Sequence, residues 1–355
     1  SCVPASGCVP YLGDWMRAAV VLALLLIALP ARSGEVEDAI GRGVAWLKKE
    51  QRPDGSFGQG PGETALALLA LRHSGVPAAD TVCTRAAAWL ERALPDGTVY
   101  GAALGTLALL AQSPEKHRAE IAKLVGHLVK GQCRNGQWTY AYRSTTRKKA
   151  GDNSNTQLAI LALAGARTRR VEVPDEVFVK CAKFFRESQN EDGGFGYAHN
   201  QRSRSYGSMI AGGAMALSFG AAVEDGTQFG SAALAGRTEV RRALDWIASD
   251  FAPDRNRDAG RAFGSKKKKR SDATWRHYWL WSLERACAAS GVEKLGPHDW
   301  YSEGSRFLLE SQKERGSWRD PEKELQATCF ALLFLARSGQ RVITPRDRDR
   351  VTTPR

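Results

Sequence analysis

Residues Ala45 to Leu71 read AWLKKEQRPDGSFGQGPGETALALLAL, and they decide the fold. The spacing predicts a helix carrying Trp46 and Leu47 that ends at Gln51. A turn closing with Gly55 and Phe57 follows, and then a second helix, Thr64 to Leu71, made almost wholly of Ala and Leu. A helix apolar all round is buried on every side, whereas one with a charged face lies half in water. The unit is an outer, amphipathic helix followed by an inner, dry one. Such a unit cannot bury its own apolar face and needs neighbours of its kind.

Outward from that stretch the pair recurs, and six pairs can be laid out. Outer segments are expected near Val36–Glu50, Thr81–Ala93, Glu115–Lys130, Asp175–Ser188, Glu239–Ser249 and Trp300–Ser311. Inner segments are expected near Glu63–Arg72, Tyr100–Ala111, Asn153–Ala166, Tyr206–Ala221, Thr274–Ala289 and Leu325–Arg337. Four outer-to-inner links share a glutamine–glycine–aromatic pattern: Gln51, Gly55, Phe57; Gln132, Gly136, Trp138; Gln189, Gly193, Phe195; Gln312, Gly316, Trp318. The glutamine is expected to bond the open carbonyls at the helix end. Six such pairs close into a double ring, so the fold class is all-α, an (α/α)6 toroid over about residues 34–340. The long links Arg134–Gly151, Asn190–Ser205 and Asp250–Ala273 gather at one end, beside the inner-helix N-termini. Loops on a rigid scaffold carry function, and that end is the candidate site.

The chain has 355 residues, 43% hydrophobic and 25% charged, the composition of a globular protein. Met16 and Arg17 precede an apolar run of about 14 residues with a small-residue exit at Ala31–Ser33. This reads as a secretory signal over residues 16–33, with 1–15 a non-structural leader. The run is short of the roughly 20 residues a membrane span needs, so no stable span is expected after cleavage. Cys83, Cys133, Cys181, Cys287 and Cys329 form no pattern and read as buried apolar residues. Neither a metal nor a cofactor site follows from their spacing. The net charge of +13 is concentrated in Lys266–Arg270 and in a basic tail over residues 341–355. No aromatics interleave those runs, so solvated loops are expected and no specific nucleic acid. The oligomeric state is not fixed by the sequence.

The turn pattern resembles the QW repeat of squalene–hopene and oxidosqualene cyclases, and the helix pairs look like the β subunit of protein prenyltransferases. The resemblance covers about Glu37 to Gly339. It implies the terpenoid cyclase/prenyltransferase superfamily and a central cavity for an isoprenoid or other hydrophobic small molecule. The catalytic motifs are degenerate. Where class II cyclases carry D-x-D-D-T, this chain has Asp152-Asn153-Ser154-Asn155-Thr156, and Ser154 stands at the proton donor's place. Serine is not an acid strong enough to protonate an alkene, so proton-initiated squalene cyclisation is not expected. Ala327 stands where the prenyltransferases place a zinc-binding histidine.

Two polar groups remain as site candidates. Asp152, with Asn153, Ser154 and Asn155, opens an inner helix whose dipole favours a polar ligand; the alternative is an N-cap. Asp272, Trp275, His277 and Tyr278 open another, with the aromatics on one helix face as cavity lining or as core. Asp152, Asp272 and His277 are the catalytic candidates. Asn153, Ser154, Asn155, Tyr206, Trp275 and Tyr278 are the substrate-binding candidates. Tyr140, Tyr142, Tyr197 and His199 lie in the long loops and suit stacking on a sugar or a prenyl chain. Three functions follow: a cyclase-like lipid protein, a secreted (α/α)6 carbohydrate-active enzyme, or a non-catalytic binding module. The second needs two carboxylates, for which Glu63, Asp152 and Asp272 open three inner helices.

Overall fold

Alternation between wet and dry helices runs through the whole structure, a computed structural model that describes residues 33–141, 151–198, 204–263, 271–320 and 323–344. The amphipathic helices are α1 (Ser33–Lys49), α3 (Thr81–Ala93), α5 (Arg118–Lys130), α7 (Asp175–Ser188), α9 (Thr238–Ala248) and α12 (Trp300–Ser311). The dry ones are α2 (Pro61–His73), α4 (Val99–Gln112), α6 (Asn153–Thr168), α8 (Gly207–Glu224), α11 (Arg276–Ser290) and α13 (Glu324–Leu335). Two short helices, α10 (Ala259–Phe263) and α14 (Ser338–Ile343), and a 3₁₀ turn (Ala232–Gly236) complete the set among the described residues. In α9 only Val240, Ala243, Leu244, Trp246 and Ile247 are buried, one stripe at helical spacing. In α8 every residue from Gly207 to Ala222 is buried.

Each inner helix packs on the next, and α13 packs back on α2, so the inner ring closes. The fold is the expected (α/α)6 toroid. The glutamine turns hold it together in a way the sequence did not disclose. Gln51 Nε2 donates to the Gly55 carbonyl of its own turn (3.1 Å) and to Val82 O of the next outer helix (2.8 Å). Gln132 bonds Gly136 O (3.0 Å) and Val177 O (2.9 Å), and Gln189 bonds Gly193 O (2.8 Å) and Glu239 O (2.9 Å). Gln312 bonds Gly316 O (2.8 Å) and reaches forward to Ala39 O of α1 (2.9 Å), joining the last outer helix to the first. The glutamine therefore clasps consecutive outer helices and does not cap its own.

Glycine is required in these turns for two reasons. Gly136 has φ +97°, and a Cβ there would stand 2.3 Å from Lys180 O of α7. The turn aromatics anchor the inner helices. Trp138 N donates to Thr156 Oγ1 of α6 (3.0 Å) and Trp318 N to Thr328 Oγ1 of α13 (3.0 Å).

The two ends of the ring differ. At the inner-helix C-termini α14 packs on α6, α11 and α13, and Trp281 Nε1 donates to Ser338 Oγ (2.9 Å). The expected basic tail thus begins inside this helix. At the other end the long links are zipped by isolated bridges, Trp138 with Asp152, Asp152 with Ala198, and Thr98 with Ala141. The leader and all of the expected signal but Ser33, which opens α1, lie outside the described residues, as do Tyr142, His199, the Lys266–Arg270 run and the tail beyond 344.

Candidate functional site

A cavity of about 370 Å³ opens at the N-terminal end of the inner ring. Its upper wall takes one side chain from the second or third residue of every inner helix: Glu63, Tyr100, Ser154, Ser208, Tyr278 and Gln326. One turn deeper the lining becomes apolar, with Leu66, Leu104, Leu158, Trp281 and Phe330. Tyr140, Tyr197, Tyr206 and Trp275 complete the wall from the links. The layering follows from helix geometry, because residues three or four apart share a face and the same face of each helix meets the axis.

The bridges place the loop tyrosines. Val99 N donates to Tyr140 O (2.9 Å), Asn153 N to Tyr197 O (3.0 Å) and Tyr206 N to Phe195 O (3.2 Å). Tyr140 then stacks on Tyr100 with ring centroids 6.0 Å apart, and its hydroxyl meets that of Tyr197 at 2.6 Å. Trp275 adopts a left-handed backbone, φ 58°, immediately before α11, an uncommon conformation for a bulky residue that recurs at functional sites.

Asp152 caps α6. Its carboxylate accepts from the backbone N–H groups of Ser154 (3.1 Å) and Asn155 (3.0 Å), from Ser154 Oγ (2.8 Å) and from Asn155 Nδ2 (2.9 Å). Tyr100 OH donates to Ser154 Oγ (3.1 Å), so a chain of hydroxyls connects the cavity to the buried Asp152 carboxylate. Asn153 is buried between the links, accepting from Gln137 Nε2 and donating to Gly196 O, both at 2.8 Å. Burial pushes the Tyr100 and Tyr206 phenols well up and that of Tyr278 to about 12, which keeps all three as neutral hydroxyls.

Glu63 is the carboxylate that lines the cavity itself. Lys323 Nζ donates to its Oε1 (3.0 Å), and the Gln326 amide and the Gln59 backbone N–H also bond it. Asp272 and His277 stand elsewhere. Asp272 accepts from Gly260 N (2.8 Å) and fastens α10. His277 is buried, its Nδ1 2.7 Å from Asp320 Oδ1, with Phe307 of the outer helix α12 beside its ring. The structure therefore brings Ser154, Tyr206, Trp275 and Tyr278 to the cavity, holds Asp152 one residue behind it, and leaves Asp272 and His277 away from it. Tyr100, Ser208, Trp281, Gln326 and Phe330 escaped the sequence reading. For Tyr100, Ser208 and Gln326 the common register at the inner-helix starts was the signal that could have found them; Trp281 and Phe330 lie one turn deeper on the same faces.

By sequence the chain matches no family model and no curated protein. By structure it is similar to the GH76A α-1,6-mannanase of Salegentibacter sp. HEL1_6, with a TM-score of 0.58 at 8% identity over 86% of this chain and 99% of that one. An inactive variant of that enzyme in complex with α-1,6-mannotriose aligns with a TM-score of 0.57 at 9% identity, over the same shares of the two chains. A second inactive variant, in complex with α-1,6-mannotetrose, aligns with a TM-score of 0.58 at 9% identity. The fold is thus that of an α/α toroid of the kind glycoside hydrolases use.

These neighbours overturn the expected place in the terpenoid cyclase/prenyltransferase superfamily, the squalene-cyclase-like description and the isoprenoid ligand. The physical reason lies in the turn. The glutamine–glycine–aromatic pattern clasps neighbouring outer helices, so it reports how a ring of helix pairs is fastened and carries no information about the reaction inside. The described residues contain no helix long and apolar enough to cross a membrane.

Proposed function

We propose that this chain is an exported (α/α)6 carbohydrate-active enzyme that takes a sugar chain into the tyrosine-walled cavity. The observation that carries this reading is the layered ring. Hydroxyl, amide and carboxylate groups from all six inner helices meet around aromatic faces, and sugars present both C–H faces and hydroxyls. The mannotriose and mannotetrose held by the structural neighbours support a saccharide of this class.

Glycoside hydrolysis needs two carboxylates roughly 5–9.5 Å apart flanking the bond. In the mannanase, the inactive variants replace two consecutive aspartates. This sequence contains no two consecutive aspartates, so the pair is assigned here to different inner helices. Glu63, on α2, faces the ligand as a charge paired with the Lys323 ammonium. Asp152, at the start of α6, acts through the Ser154 hydroxyl that it holds. Tyr100, Tyr206, Trp275 and Tyr278 grip the sugar rings, and Asn153 and Asn155 keep the α6 start in shape. The apolar run after Met16 supports export. N-terminal sequencing of protein recovered outside the cytoplasm tests that part, and a mature start near Ser33 is expected.

The test of activity is release of reducing ends from a panel of polysaccharides that includes α-1,6-mannan. Glu63→Gln and Asp152→Asn should each cut release by on the order of 10²-fold or more while the folded protein still binds oligosaccharide. A wild-type protein that neither binds nor cleaves any glycan of the panel overturns the reading.

A further inference from the structure

The cavity is blind, and it is shallow. Its polar rim and the apolar lining beneath are three or four positions apart on each inner helix, as Glu63 and Leu66 or Tyr278 and Trp281 are, a drop of roughly 5 Å. One turn further down the ring is filled. Leu107, Leu161 and Arg285 are buried there and line no part of the cavity. Arg285 Nη2 donates to Gln157 Oε1 (3.1 Å), a strut from α11 to α6, inner helices that stand on either side of α8. Gln157 fills the room that Gly212 of α8 leaves, where a Cβ would stand 2.9 Å from it. The pocket at the α14 end of the ring, lined by Leu107, Gly165 and Val342 among others, shares no residue with the cavity. The hollow is therefore a pocket and not a tunnel.

The floor is a packed aromatic layer. Trp281 and Phe330 stack with ring centroids 5.3 Å apart, Tyr278 lies 5.3 Å from Phe330, and the Arg285 guanidinium backs Trp281 at 3.8 Å. The carboxylates stand at the top of the hollow: Glu63 in the rim, and Asp152 behind the rim residue Ser154. A glycosidic bond held between them has one layer beneath it, enough for a single sugar ring and too little for a continuing chain. The volume of about 370 Å³ agrees, near the small end of the roughly 300–1,000 Å³ usual for small-molecule sites. Above the starts of α4 and α6 the links raise the rim. Tyr140 is 57% exposed there, and its hydroxyl meets that of Tyr197 at 2.6 Å. A chain laid flat across the mouth meets this tyrosine pair.

We propose that the cavity takes the end of a glycan chain and not its middle, so that sugars are removed one at a time from a terminus. The proposal rests on the carbohydrate-active reading above and adds to it which part of the polymer is the substrate. In each round the terminal glycosidic C–O bond breaks. Water supplies a hydroxyl to the anomeric carbon and a proton to the departing oxygen, so no further reactant is needed.

The test uses the full chain and the glycans of the panel, α-1,6-mannohexaose first. Products are sized by mass spectrometry from the earliest times. The expected product is a monosaccharide, with the oligomer shortening by one residue per step and the viscosity of the parent polysaccharide falling slowly. Calorimetry compares the free oligosaccharide with forms carrying a bulky group at one end or the other. Blocking the end that enters should weaken binding by about tenfold or more, and blocking the opposite end should change it little. Phe330→Ala and, separately, Leu104→Ala deepen the floor and should let a disaccharide appear among the first products. Two variants on different helices keep the test standing if one of them fails to fold. Early products of many sizes, equal affinity for blocked and free chains, or a product size unchanged in folded floor variants overturns the proposal and leaves the functional reading standing. Failure to bind or cleave any glycan overturns the functional reading, and the proposal with it.

Discussion

Glu63 and Glu284 show how differently one residue type is used in this ring. Glu63 stands at the cavity with Lys323 beside it, available to a ligand. Replacing it by Gln keeps the shape and most of the hydrogen bonding while removing the charge. Turnover should fall on the order of 10²–10⁴-fold, the usual worth of a positioned acid or base, with binding changed far less. Steady-state kinetics beside calorimetry reads the split. Glu284 is fully buried on the other face of α11, and desolvation raises it from 4.5 to about 7. The native state therefore holds a proton that the unfolded chain has released between those values. Stability from this group is complete below about pH 4.5 and is lost as pH rises through about 7. The thermal midpoint should fall between about pH 5 and pH 8, and Glu284→Gln should flatten that slope. A slope unchanged in the variant would assign the dependence to other groups.

At the scale of the element, the turn after each outer helix is the working part. Gly136 combines a positive φ with a carbonyl of α7 where a side chain would go. Gly136→Ala should destabilise the protein by about 3 kcal/mol, from strain and displaced packing together. Gln132→Ala removes one bond within its own turn and one to the next outer helix, and should cost about 1–3 kcal/mol. Chemical denaturation measures both, and a Gln132→Ala protein as stable as the wild type would reduce the clasp to decoration. Much of this level was legible. The Ala–Leu runs marked the inner helices, because a helix apolar all round must be buried on every side. The charged stripe of α9 around Trp246 gave an outer helix even without the glutamine. The role of the glutamine was not legible, because its second partner lies 31 to 50 residues ahead in three turns and in α1 in the fourth.

At the scale of the molecule, ring closure converts six weak local patterns into one cavity. That step hid part of the site from the sequence. Ser154 and Tyr278 stood out because polar and aromatic neighbours cluster around them. Tyr100, Ser208 and Gln326 are solitary residues in their segments and acquire meaning only when the six helix starts meet. Asp272 and His277 looked chemical for the opposite reason: their segment is dense in polar groups, but the turn of the chain at Trp275 sends them into the scaffold. The turn pattern led to the right fold but to the wrong superfamily and ligand, since a fastening motif is indifferent to what the hollow holds.

The clasp from Gln312 to Ala39 has a last consequence. Val36 and Glu37 of α1 and Thr344 after α14 border one groove, so the beginning and end of the described chain are neighbours in space. The circle has no seam that folding must respect. Bridging those neighbours with a short flexible linker and cutting instead in the exposed link at Arg170–Glu172 should yield a permuted protein of the same shape and ligand preference. Circular dichroism and oligosaccharide binding would check it. A permutant that fails to fold would show that the order in which the helices arrive, and not only their final company, is written into the chain.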